Sequence, residues 1–129
     1  MQRIEPDDRL SGVIIAAALE VHRTVGPGFL ESIYDEALAI ELGIRGVPFE
    51  RQVPLRATYK GYSIGEGRAD YVVDGQVVVE LKTVEAIVPI HVAQVLSYLR
   101  ASALTLGLLI NFNTSLLRQG IRRVVLSRP

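Results

Sequence analysis

The sequence predicts a single α/β domain in which helices flank a mixed β-sheet, in the order α-α-β-β-β-α-β-β. Three observations carry this reading. Apolar residues recur at helical spacing in two stretches before residue 45 and in one after residue 88. Between and after them, short runs rich in Val, Leu and Ile are punctuated by Lys60-Gly61 and Asp74-Gly75 turns. And 129 residues with 49% hydrophobic and 22% charged side chains supply one core, with no repeat or linker to divide it. Residues 1–10 read as a polar arm and residues 11–129 as the domain.

Taken in order, Ser11 is placed to cap a first helix through GVIIAAALEVHRTV, ended by Gly26-Pro27-Gly28. The second helix is FLESIYDEALAIELG. Leu30, Ile33, Tyr34, Ala37, Leu38 and Leu42 form its expected packed side, and Gly43 is the expected C-cap. The period then changes. Phe49–Tyr59 reads as a strand whose Pro54 argues for a sheet edge or a bulge. A second strand is expected over Gly67–Val73 and a third over Gln76–Thr83. Pro89 opens a third helix, PIHVAQVLSYLRASA; LTLGLLINF and IRRVVLS are the last two strands, separated by a loop at residues 114–120.

Composition narrows the function. Lys plus Arg equals Asp plus Glu at 14 each, so no global field draws the chain to nucleic acid or an anionic membrane. The absence of Cys excludes disulfides, thiolate zinc sites and a cysteine nucleophile. The charged start lacks a signal-peptide core, and the apolar run Val13–Leu19 is too short to span a bilayer. A soluble, cytoplasmic protein is the expectation.

The segment DYVVDGQVVVELK, residues 70–82, holds the chemistry. Glu80 and Lys82 share a strand face. A two-residue loop at Asp74-Gly75 would pair Val73 with Gln76 and leave Asp70 on the face opposite Glu80. A three-residue loop would pair Val73 with Val77 and put Asp70 across from Glu80, with Arg68 across from Lys82. If the acids converge, two adjacent carboxylates repel unless a cation joins them. Oxygen ligands suit Mg²⁺ or Mn²⁺, and a neighbouring lysine could orient a water or stabilise developing negative charge. If they do not, all three charges simply cover the wet face of an amphipathic hairpin.

The ordered set GPGFLESIYDEAL, GRADYVVDGQVVVELKT, QVLSYLR and LGLLINF resembles the small-protein family named for its GxxExxY signature, here Gly28, Glu31 and Tyr34. That family is grouped with the PD-(D/E)XK nuclease superfamily, and the resemblance covers nearly the whole chain. It implies a restriction-endonuclease-like core. It also implies Mg²⁺ or Mn²⁺ held by Asp70 and Glu80 with the Leu81 carbonyl, a helical acid at Glu31 and a catalytic Lys82. Gln94 and Tyr98 resemble the Gln-xxx-Tyr pair of the RecB-like branch, although this chain lacks the cysteines with which some of those relatives hold an iron–sulfur cluster. The implied activity is phosphodiester hydrolysis on nucleic acid, DNA before RNA. The alternative is a non-catalytic binding or accessory subunit that keeps the fold. The small footprint of one copy points to a homodimer or a protein partner.

Other residues read more plainly. His22 and His91 lack partners at metal-ligand spacing, and structural roles are expected for both. Arg118, Arg122, Arg123 and Arg128 form a basic C-terminal group, suited to phosphate or to a solvated edge strand. Asn111 and Asn113 are expected to cap a loop.

Overall fold

The computed structural model describes residues 8–127. The elements are α1 (Asp8–Val25), α2 (Glu31–Ile44), β1 (Phe49–Tyr59), β2 (Tyr62–Val73), β3 (Val77–Lys82), α3 (Pro89–Ser102), β4 (Leu106–Asn111), a 3-10 turn at Leu117–Gly120, and β5 (Ile121–Val125). Apart from the 3-10 turn, this is the predicted order. The five strands form one sheet in the order β1-β2-β3-β4-β5. Only β3 and β4 are parallel, and α3 supplies the crossover that such a pair requires.

The sheet lies between two helical layers. On one side, Ile14, Ala17 and Val21 of α1 and Tyr34, Leu38 and Leu42 of α2 pack on Tyr71, Val77, Val79, Leu81, Leu108 and Ile110. On the other, Val95 and Leu99 of α3 pack on Val72, Val78, Leu109 and Val124. Every residue of β4 is buried, as a strand covered on both faces demands. Its Gly107 lets α3 press close: a Cβ there would lie 2.5 Å from a Val95 methyl and 3.4 Å from the Val78 carbonyl oxygen.

Several boundaries differ from expectation. Helix α1 begins at Asp8, so residues 8–10 belong to it, and Ser11 is a buried helical residue rather than the cap. The rest of the expected arm, residues 1–7, lies outside the described residues. Helix α2 passes Gly43 and ends with Arg45 as C-cap. Strand β2 starts five residues early because Lys60 and Gly61, at φ +49° and +84°, make a tight two-residue turn that lets it pair with β1 from Tyr62 onward. Pro54 does lie on the sheet's edge strand. Leu30 and Ile33, expected to pack, are exposed.

Candidate functional site

Val73 pairs with Val77, Val72 with Val78 and Tyr71 with Val79. The hairpin loop is therefore the three residues Asp74-Gly75-Gln76, with Asp74 and Gly75 at φ +51° and +63°. This is the register that sets Asp70 across from Glu80. The backbone ladder stops at Tyr71, and the carboxylates take over. The Asp70 amide donates to Glu80 Oε2 at 2.7 Å, and the Leu81 amide donates to Asp70 Oδ2 at 2.8 Å. Each acid thus accepts from the backbone of the other strand.

The ladder is also broken on the opposite side of Asp70. Arg51 of β1 pairs with Tyr71 and Val53 with Ala69, while Gln52 between them is pushed into the left-handed region at φ +52°. Tyr71 packs toward α1 and α2, yet Ala69, two residues earlier, packs toward α3. Residues two apart in a regular strand share a face. Strand β2 therefore turns over at Asp70, and the acid stands where the ladder opens.

Glu80 is only 3% exposed. Its pKa is pushed up to about 9, first by burial, then by the charge of Asp70 and a hydrogen bond with that carboxyl; the Asp70 amide and Lys82 act in the opposite sense. Among the described residues, no ion pair reaches Asp70 or Glu80. Glu31, in the first turn of α2, is exposed at the rim. Partial desolvation and then Asp70 raise its pKa, against the pull of Lys82. Glu31 and Glu80 thus each feel Asp70 and Lys82.

Lys82 Nζ donates to Gln94 Oε1 at 3.0 Å, and Gln94 Nε2 donates to Tyr98 Oη at 3.4 Å. Gln94 and Tyr98 share the face of α3 turned to the sheet. The Tyr98 hydroxyl has a raised pKa, from burial first and the Glu80 charge second. Its ring lies against Gly67, where a Cβ would come within 2.7 Å. Gly67 and Gln52 are the contributors that sequence reasoning missed. The signal for the first was a glycine three residues ahead of the strand acid.

The scaffold around these groups is specific. Tyr34 is buried and stacks on Phe112 with ring centroids 4.6 Å apart. Its hydroxyl donates to the Gly26 carbonyl at 2.6 Å and accepts from the Phe29 amide at 3.2 Å. That pins the turn in which Gly26 and Gly28 take φ +77° and +105°, and so sets where α2 and Glu31 begin. Asn111 holds the chain after β3, accepting from the Val84 amide at 3.0 Å and donating to its carbonyl at 2.9 Å. His91 Nδ1 accepts from the Val88 amide at the start of α3, and His22 Nε2 meets the Thr114 carbonyl at 2.7 Å. Both histidines have structural partners. Arg122 and Arg123 are exposed on edge strand β5, whereas Arg128 lies outside the described residues.

The donor set suits a hard divalent cation. Two carboxylates meet at the open end of the hairpin, and their mutual repulsion is what a cation would relieve. Among the described residues, no group of three or more His, Cys, Asp or Glu side chains gathers as a metal cage. A carboxylate pair is nonetheless enough for Mg²⁺, which commonly takes one or two carboxylates and fills its other positions with water. Among the described residues, no helix is long and apolar enough to cross a membrane.

In comparisons with known proteins, the family model of the PD-(D/E)XK nuclease superfamily matches residues 8–124. No curated protein and no solved structure matches the chain.

Proposed function

The chain belongs to the PD-(D/E)XK nuclease superfamily, and from that premise we propose that it is a Mg²⁺- or Mn²⁺-dependent phosphodiesterase acting on nucleic acid, DNA in the first instance. The observation that carries this reading is the buried Glu80 beside Asp70 with no ion-pair partner among the described residues. Within the superfamily, Gly28, Glu31 and Tyr34 support a place in the GxxExxY group, and Gln94 with Tyr98 a likeness to the RecB-like branch.

In this reading Asp70, Glu80 and the Leu81 carbonyl hold the cation, and Glu31 adds negative charge from the rim. When bound, the cation supplies Lewis acidity toward a phosphoryl oxygen. Lys82 presents a positive charge to the phosphate, with its amine aimed by Gln94 and Gln94 steadied in turn by Tyr98. Water forms the new phosphorus–oxygen bond and gives up a proton to solvent. The bond to one ester oxygen breaks, and that oxygen takes a proton from solvent. Incubating the protein with Mn²⁺ and single- or double-stranded DNA tests this: the wild type is expected to cleave, and Glu80→Gln, which keeps an acceptor for the Asp70 amide, is not. Equal activity in the two proteins overturns the mechanism.

One observation favours the second reading, a non-catalytic subunit. Both carboxylates already serve the fold by accepting backbone amides. Calorimetric titration separates the two readings: no heat at millimolar Mn²⁺, together with no nucleic-acid binding, would select the subunit.

A further inference from the structure

Helix α2 has two apolar faces and the chain uses one. Tyr34, Leu38 and Leu42 are buried against the sheet. Leu30, Ile33, Ala37, Ile40 and Ile44 follow a 3-4-3-4 spacing on another side. Leu30, Ile33, Ile40 and Ile44 are 78%, 45%, 63% and 73% exposed. A single exposed leucine is ordinary, but a continuous aliphatic row along a whole helix is not. We propose that this outer face of α2 seats a second copy of the chain, helix against helix and antiparallel.

Four features select that occupant. The 3-4 spacing is the period at which two helices bury a common seam, and a two-fold pair needs the same patch on both partners. Ala37, midway along the row, is half-buried against the core and adds no bulk on the outer side, which leaves room for close approach of the two backbones. The row also continues into a groove against α1, lined by Val21, Thr24, Val25 and Ile40 together with Glu20 and Glu41, which widens the contact. With large apolar side chains offering roughly 150–200 Å² each, the exposed fractions together with Phe29 come to about 500 Å² per copy. Two copies would bury about 1,000 Å², near the lower bound for a specific interface.

Charge argues the same way. Of the acids flanking the row, Glu41 pairs with Arg45 at 2.7 Å, while Arg51 serves both Glu36 at 2.7 Å and Asp35 at 3.0 Å. Two cations thus serve three acids, which limits the repulsion between two such faces. This rim offers nothing to a phosphate backbone or an anionic lipid surface, both of which call for unpaired cations. A parallel pairing would bring both Glu31 carboxyls and both helix N-termini together. The antiparallel one sets them about 20 Å apart along the axis and opposes the helix dipoles.

Sedimentation velocity between about 1 and 200 µM tests the proposal. The wild type is expected to pass from one to two times the 14.2 kDa chain mass. Ile40→Lys is expected to weaken association by about 100-fold or more. Because Ile40 is exposed, the variant should melt like the wild type; Ile44→Gln repeats the test if it does not. Tyr62→Lys, at the exposed tip of the β1–β2 hairpin, should leave the dimer intact. A wild type that stays monomeric overturns the proposal. So does a dimer that survives Ile40→Lys and Ile44→Gln, or one that Tyr62→Lys abolishes. No metal or nucleic acid enters the measurement, so its outcome is independent of the phosphodiesterase reading.

Discussion

Replacing Glu80 by Gln should stabilise the metal-free protein at alkaline pH. In the fold this carboxyl keeps its proton to about pH 9, whereas in the unfolded chain it ionises from about pH 4.5. Between those values the unfolded state binds one proton fewer, so stability falls by roughly 1.4 kcal/mol for each pH unit gained. From pH 5 to pH 8 the fall amounts to about 4 kcal/mol as an upper figure, a large part of a domain's usual ~5–15 kcal/mol. The glutamine side chain does not titrate, and its amide oxygen can still accept the Asp70 amide. Urea unfolding in EDTA at half-unit pH steps reads the difference directly. Wild type and Glu80→Gln should be nearly equal at pH 5 and diverge steadily, with the variant the more stable at pH 8. Saturating Mn²⁺ should restore the wild type at pH 8 and leave the variant unchanged. Parallel curves from pH 5 to pH 8 would refute the reasoning, because Glu80 would then ionise in the fold as freely as in water.

Gln94→Leu removes the acceptor of the Lys82 amine, a charged hydrogen bond of about 1.5–3 kcal/mol, so turnover on DNA should drop roughly 10- to 100-fold. Mn²⁺ affinity by calorimetry should stay as in the wild type; an equal loss of metal binding would contradict the positioning role. Tyr34→Phe keeps the stack on Phe112 but gives up the hydroxyl bonds to Gly26 and Phe29. It should cost about 1–2 kcal/mol in urea unfolding, and no change would mean that the hydroxyl does not secure the turn.

The element order was legible because periodicity changes sharply at Phe49 and Pro89 and because glycine and proline mark the turns. The start of β2, residues 62–66, was not. Its side chains are exposed and glycine-rich, so alternation carries no signal there, and only the Lys60-Gly61 turn links the two strands. Leu30 and Ile33 were misread for a different reason. Helical spacing reports that a residue is apolar and which neighbours share its face, but not which of two apolar faces meets the sheet. At the site, the three-residue loop was one of two registers that the sequence allowed. What it could not reveal was the reversal of β2 at Asp70, since that depends on a left-handed Gln52 in a strand distant in sequence.

The crossed amide bonds at Asp70 and Glu80 have a further consequence for how this protein can change. The atoms that would do chemistry are also the stitches closing the open end of the hairpin, so the two duties cannot be lost one at a time by truncation. An alanine at either position strands a backbone amide as well as deleting a charge, and a dead variant made that way confounds misfolding with inactivity. Asp70→Asn or Glu80→Gln keeps an acceptor in place and subtracts only the capacity to ionise. A lineage of such chains could therefore drift from enzyme to scaffold through amides while its architecture stayed whole, and the amide variants are the ones that tell those two lives apart.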